Sequence, residues 1–228
     1  MLRRELENNF QILLVDLPDH GKSQFTENFS YKHNAQLLVT LLDELDIRQP
    51  SLIGHSMGGK VAMTMALNYP DRIARLVLLD IAPVAYQPRH TNVFEGLNSI
   101  ELTSLLDRRQ AEEMLAHTID EQGVRQFLLK SLYQIDGAWQ WRFNIELLYR
   151  DYGKLSEAVV SSQHYERPTL FIKGERSDYL KAEYRKAVIT LFPNSTSKIV
   201  GGTGHWLHAE KPVICGRIIT DFLLDQRV

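Results

Sequence analysis

Short runs of branched apolar residues alternate along the chain with longer stretches whose apolar positions recur at helical spacing. Residues 11–16 (QILLVD), stopped by Pro18 and Gly21, predict a buried strand. Residues 33–45 set Leu37, Leu38, Leu41, Leu42 and Leu45 at the spacing of one helix face. A second short strand is predicted over 51–53, followed by a helix over 57–68 that ends before Pro70. Further strands are predicted at 76–80 (LVLLD), at 169–173 (TLFIK) and, more weakly, at 198–200. A closing helix is predicted over 211–224. Strands alternating with helices imply an α/β fold, a mostly parallel sheet flanked by helices.

The pattern changes between Val84 and Arg167. No strand signal stands out there, and helix-like segments lie near 100–106, 110–118, 124–132 and 144–149. An excursion of this length is too long for a loop. It predicts a helical cap at 84–167, inserted in a core formed by 1–83 and 168–228.

The chain has 228 residues, 44% of them hydrophobic and 24% charged, enough apolar material for a sizeable core. A net charge of −2 gives no basic footprint for nucleic acid. No apolar run reaches the ~20 residues of a membrane helix, and the charged start (MLRRE) lacks a signal peptide's apolar stretch. One cysteine, Cys215, excludes an internal disulfide and a thiolate metal cluster; within the last helix it reads as a small buried apolar residue. Together these features predict a cytoplasmic protein, a monomer or small homo-oligomer without nucleic-acid or membrane partners.

Chemistry enters at Gly54-His55-Ser56-Met57-Gly58, which matches G-x-S-x-G. Alone the pattern is modest evidence. Here a strand runs directly into it and a helix directly out, the setting in which a strained turn presents a nucleophilic serine. Gly54 and Gly58 are expected to spare the turn from side-chain clashes. The helix start, with the Met57 N–H, would face a developing oxyanion. The structural alternative is a Gly-rich turn whose serine caps the helix.

A serine hydroxyl needs an imidazole to take its proton. His205 lies in a glycine-rich loop, Gly201-Gly202-Thr203-Gly204-His205-Trp206, between the last strand and the closing helix. His55 is expected to point away from the nucleophile, His208 to pack or cap, and His20 to line the site. His33, His90, His117 and His164 are read as surface or cap residues. The acid has two candidates. Asp178 follows the strand at 169–173 but sits one residue beyond the usual position, which Ser177 occupies. Asp80 ends the strand after the elbow helix and is preferred, with Ser177 assisting by a hydrogen bond; Asp80 could instead be a helix cap or backbone clamp.

The assembled residues resemble the YbfF-type esterases of bacteria, a branch of the α/β hydrolases. The resemblance rests on Gly21-Lys22-Ser23 after Asp16, Ile53 through Lys60 (IGHSMGGK), and Pro70-Asp71-Arg72-Ile73. It continues through Asp80-Ile81-Ala82-Pro83, Gln126 through Ser131 (QFLLKS), Trp141-Arg142-Phe143-Asn144, Gly204-His205-Trp206 and His208 through Pro212 (HAEKP). It covers nearly the whole chain. It implies an α/β-hydrolase fold with an inserted helical cap, and hydrolysis of short-chain esters, extending to acyl-CoA thioesters. It also implies an acid after the elbow helix, in agreement with Asp80. Such proteins begin with further strands and a loop that supplies part of the oxyanion hole. Here that segment, roughly 30 residues, is not represented. A shortened chain, a misassigned start and a degenerate copy are the three explanations.

The expected chemistry is acyl transfer to water through Ser56, His205 and Asp80, with no metal or organic cofactor and a small-molecule ester or thioester as substrate. Tyr86, Phe94, Phe127, Trp139, Trp141 and Phe143 from the cap, with Trp206, are candidates for lining the acyl pocket. For most of the cap aromatics the alternative is packing within the cap itself. Rival readings are a related hydrolase or acyltransferase with another bond specificity, and a non-catalytic remnant.

Overall fold

The computed structural model describes residues 2–225. In chain order the elements are α1 (Leu2–Leu6), α2 (Tyr31–Glu44), β1 (Leu52–His55), α3 (Met57–Asn68), β2 (Leu76–Leu79), α4 (Thr91–Asn98), α5 (Arg108–Leu115) and α6 (Gln122–Leu129). There follow β3 (Leu132–Ile135), β4 (Ala138–Trp141), α7 (Ile145–Arg150), α8 (Tyr152–Ser156), β5 (Thr169–Gly174), α9 (Arg185–Leu191), β6 (Ser195–Val200), α10 (Leu207–Glu210) and α11 (Pro212–Leu224). None of the described helices is long and apolar enough to cross a membrane.

The chain divides into two compact units. The first, residues 2–14, Ser30–Ala85 and 158–225, holds a four-stranded parallel sheet in the order β1-β2-β5-β6. β2 is buried along its length and β5 nearly so, because neither is an edge and each needs apolar side chains on both faces. Val77, Leu79, Leu170, Ile172 and Val200 form one core with Leu207, Cys215 and Ile219 from the last helices. Cys215 is fully buried there and burial pushes its thiol up to about 11, in keeping with an inert packing residue. Against this sheet α3 packs on β1 and β2 and α11 on β6, while α2 packs on α3.

Two strand expectations change. Residues 11–16 form no strand: a strand exists only through a neighbour that exchanges hydrogen bonds, and among the described residues none pairs there. Leu14 in this segment is 68% exposed. β6 is longer than the weak signal at 198–200 suggested, since β5 supplies a partner from Ser195 onward. On α2, Ser30 caps the N-terminus by accepting the His33 N–H at 3.2 Å. The buried stripe of α2 is Ala35, Val39 and Leu42, with Leu38 and Leu41 half-buried and Leu37 and Leu45 facing solvent, so the leucine spacing captured only part of the buried face.

The second unit comprises Val15–Phe29 and Tyr86–Glu157. Val15–Phe29, expected in the sheet core, is held here by bonds that span more than a hundred positions. The Phe29 N–H donates to Asp151 Oδ2 at 2.9 Å, and Asn144 Nδ2 to Asp19 Oδ1 at 3.1 Å. Arg150 first, with the Phe29 N–H, holds the Asp151 carboxyl well below the usual carboxylate range. The segment at 100–106 is not helical; α4 precedes it instead. The unit also contains an antiparallel hairpin, β3–β4, where no strand was expected. Its turn is Asp136-Gly137, with φ of 50° and 83°, the backbone a two-residue hairpin turn demands. That Asp-Gly pair between alternating aromatic and polar residues was the available signal. Trp141, with Leu97, Leu115, Leu129 and Leu132, builds this unit's own core.

Candidate active site

The loops that follow β1, β2, β5 and β6 converge at one edge of the sheet, because parallel strands bring all their C-terminal ends to the same side. Ser56 follows β1 directly. Its φ of 52° and ψ of −120° are a strained conformation for a residue with a side chain. The strain is the consequence of turning from a strand into α3 without an intervening loop. Gly54 makes this turn sterically feasible, since a Cβ there would lie 2.5 Å from the Gly58 carbonyl oxygen. Its partner in close approach is Gly59, where a Cβ would meet Ile81 at 2.5 Å; around Gly58, to which that role was assigned, there is open space. The Ser56 side chain makes no capping bond to α3, so the capping alternative does not describe it. Met57 opens the helix, and its N–H belongs to the first turn, where backbone donors have no intrahelical acceptor.

Asp80 follows β2, is fully buried and has φ 49°. Three donors converge on its carboxylate. The Gly174 N–H donates to Oδ1 at 2.9 Å, the Ser177 hydroxyl donates to Oδ2, and His205 Nδ1 lies 2.8 Å from Oδ2. A carboxylate accepts only, so the His205 proton sits on Nδ1 and the lone pair is left on Nε2. Asp178 is elsewhere: its side chain is 73% exposed and lies 4.0 Å from Lys181. Ser177 turns a carboxylate's position in the loop into a donor aimed at Asp80.

His205 comes from beyond β6, three strands from β1, roughly 14 Å at ordinary strand spacing. The loop that brings it back is tied at several points. Glu210 accepts the Gly204 N–H at 3.0 and 3.2 Å, and Thr203 bonds the Val200 carbonyl at 2.8 Å. Tyr179 stacks on the His205 ring with centroids 3.9 Å apart. His55 lies in the same cluster, 4.5 Å from the His205 ring and 4.4 Å from that of His208. Its Nε2 is 2.9 Å from the His205 carbonyl oxygen. Nothing in the sequence pattern pointed to this contact. Trp206 packs 5.0 Å from His55 and 5.4 Å from His205, ring centre to ring centre.

Burial first, and then the imidazoles of His205 and His208, hold His55 well below the ordinary histidine value. The unfolded chain takes up a proton at this ring as pH falls through about 6.5, while the folded one does not. Stability contributed by neutral His55 is therefore present above that pH and lost below it. In thermal melts from pH 7 to pH 5, His55→Gln should lose less Tm than the unsubstituted protein; parallel curves would refute this.

The remaining aromatic candidates lie in the second unit. Trp141 and Phe143 pack against each other at 5.4 Å in or against that unit's core, and Trp139 lies beside them. Phe94 packs on Tyr149 and Tyr152. Phe127 is 38% exposed, and Tyr86 carries the Arg89 guanidinium 6.0 Å above its ring. His20 bonds the Pro18 carbonyl at 3.0 Å.

Residues 2–99 match the family described as the alpha/beta hydrolase fold. Esterase YbfF of Escherichia coli K12 is 39% identical over 228 residues, 99% of this chain and 87% of that protein. The sn-1-specific diacylglycerol lipase ABHD11 of Mus musculus is 35% identical over 219 residues, covering 93% of this chain and 71% of the relative. Among solved structures, a marine microorganism esterase superposes with a TM-score of 0.93 at 30% identity, over 97% of this chain and 88% of its own. A relative of this identity and extent, on the fold and strand-end cluster described above, makes the chain an α/β hydrolase of the YbfF-type esterase branch.

Proposed function

We propose that the protein is a serine esterase that hydrolyses short-chain carboxylic esters, extending to acyl-CoA thioesters, through an acyl-enzyme on Ser56. The observation that carries this reading is the contact of His205 Nδ1 with the buried Asp80 carboxylate at 2.8 Å, taken with a serine held at φ 52° where β1 turns into α3. Ser56 Oγ attacks the acyl carbon and passes its proton to His205 Nε2. The tetrahedral intermediate collapses, and the same proton leaves with the alcohol or thiol. Water then attacks the acyl-enzyme, again giving a proton to His205, and the second collapse returns that proton to Ser56 Oγ as the carboxylic acid departs. Asp80 orients the imidazole and stabilises its charged form. Ser177 and the Gly174 N–H hold that carboxylate in place. The Met57 N–H, at the positive end of α3, stabilises the oxyanion. Trp206, beside His205, is the substrate-contacting candidate within the same unit.

Incubation with a fluorophosphonate probe, followed by peptide mass spectrometry, is expected to locate a single adduct on Ser56. Folded protein that carries no adduct there would defeat the assignment. A panel of p-nitrophenyl esters and acyl-CoAs then ranks the substrate classes, and turnover only with an alcohol acceptor would point to acyl transfer instead of hydrolysis.

A further inference from the structure

We propose that His55 is a positioning residue for the catalytic histidine, tethering the backbone of the His205 loop to the nucleophile turn. This rests on the triad reading above and deepens it. The loop carrying His205 is anchored in β6, at the opposite end of the sheet order from β1. A glycine-rich loop that reaches that far does not hold a ring to a fraction of an ångström by itself. Its backbone is gripped on both sides of the His205 Cα. On the N-terminal side the Glu210 carboxylate takes the Gly204 N–H. On the C-terminal side the His205 carbonyl faces His55 Nε2 at 2.9 Å, from a residue 150 positions away. With both flanking positions fixed, only the two side-chain torsions of His205 remain, and Asp80 and the Tyr179 stack settle those.

The chemistry of the tether is specific. A carbonyl oxygen only accepts, so His55 must carry its proton on Nε2. A neutral ring is also required, because a cation between His205 and His208 would oppose the imidazolium that forms on His205 during turnover. Burial and the neighbouring imidazoles keep it neutral. His55 is the residue immediately before Ser56, so the same bond ties the base to the strand that presents the nucleophile. Substrate contact is not involved, which separates kcat from KM.

The test compares His55→Phe, His55→Gln and His55→Asn. Phenylalanine keeps a ring against His205 and Trp206 and loses the donor. Glutamine places an amide N–H at the reach of Nε2, and asparagine falls short of it. With p-nitrophenyl acetate, His55→Phe should lose about tenfold in kcat at unchanged KM, the effect of one lost hydrogen bond on ring placement. His55→Gln should recover most of the loss and His55→Asn should not. Wild-type kcat in His55→Phe, or equal activity of the glutamine and asparagine variants, would overturn the tether. If the phenylalanine variant does not fold, the glutamine–asparagine pair decides alone. Fluorophosphonate labelling of the unsubstituted protein runs alongside: no adduct on Ser56 sinks the triad reading itself, whereas normal labelling with insensitive His55 variants sinks only the tether.

Discussion

Asp80→Asn is expected to lower kcat by about 10⁴, while Asp178→Asn leaves it essentially unchanged. That factor corresponds to about 5 kcal/mol of lost transition-state stabilisation. The asymmetry follows from what each carboxylate touches. Asp178 faces solvent beside Lys181, and an exposed pair at 4.0 Å contributes little. Asp80 is fully buried, with the Gly174 N–H on one oxygen and Ser177 and His205 on the other. An asparagine amide has one acceptor and one donor end, and neither orientation fits. With its NH₂ toward His205, the imidazole must accept at Nδ1, so its proton moves to Nε2 and it can no longer act as a base. With its NH₂ toward Gly174, two donors oppose each other in a site without water access, which costs about 1–3 kcal/mol of stability. Pre-steady-state acylation by p-nitrophenyl acetate measures the rate effect, and a proton NMR spectrum reports the far-downfield Nδ1–H resonance that should vanish. A Asp80→Asn enzyme within tenfold of the unsubstituted rate, or one matched by Asp178→Asn, would remove Asp80 from the mechanism.

Gly54→Ala is expected to destabilise the protein by about 3 kcal/mol, whereas Gly58→Ala, two residues past Ser56, is tolerated. At Gly54 the added methyl would sit 2.5 Å from the Gly58 carbonyl oxygen, 2.7 Å from the Gly59 Cα and 2.8 Å from the Gly58 carbonyl carbon. All three are backbone atoms of the first turn of α3, so relief requires the turn itself to move. That turn carries Ser56 and the Met57 N–H, and activity should fall together with stability. For a chain of this size the loss translates to a Tm lower by roughly 6–12 °C. At Gly58 nothing lies within 4 Å of an added Cβ, and alanine is the better helix former. Differential scanning calorimetry of both variants is the check. Equal melting temperatures would mean that β1 and α3 are not packed as closely as described.

Much of the site was legible because its chemistry sits at the ends of locally encoded elements. The branched run of β2, the glycines of the turn and the uninterrupted helix pattern of α3 each depend on neighbours a few positions away. Those local signals suffice to put Ser56 at a strand–helix turn and Asp80 at a strand end. The hairpin β3–β4 was legible too, through Asp136-Gly137, but its short strands were outweighed by the helical spacing around them.

Other features depended on partners far along the chain. Periodicity shows that α2 has an apolar face, but Leu37 and Leu38 compete with Ala35 and Val39 for it, and only the surface of the neighbouring helix selects. Residues 11–16 have the composition of a strand and lack a pairing neighbour among the described residues. The donors that meet the Asp80 carboxylate lie at positions 174, 177 and 205, and His55 meets a carbonyl 150 residues away.

Sequence alone therefore determined the α/β class, the nucleophile turn and Ser56, Asp80 and His205 as candidates, since each lies in a short local pattern, and the family resemblance through segments spread over nearly the whole chain. Tertiary structure alone decided the strand order, the membership of Val15–Phe29 in the second unit, and the contacts that His205 makes with Asp80 through its ring and with His55 through its carbonyl. The physical reason is that a hydrogen bond depends on distance and direction in space. When its two ends lie a hundred or more residues apart, no local pattern records that they will meet.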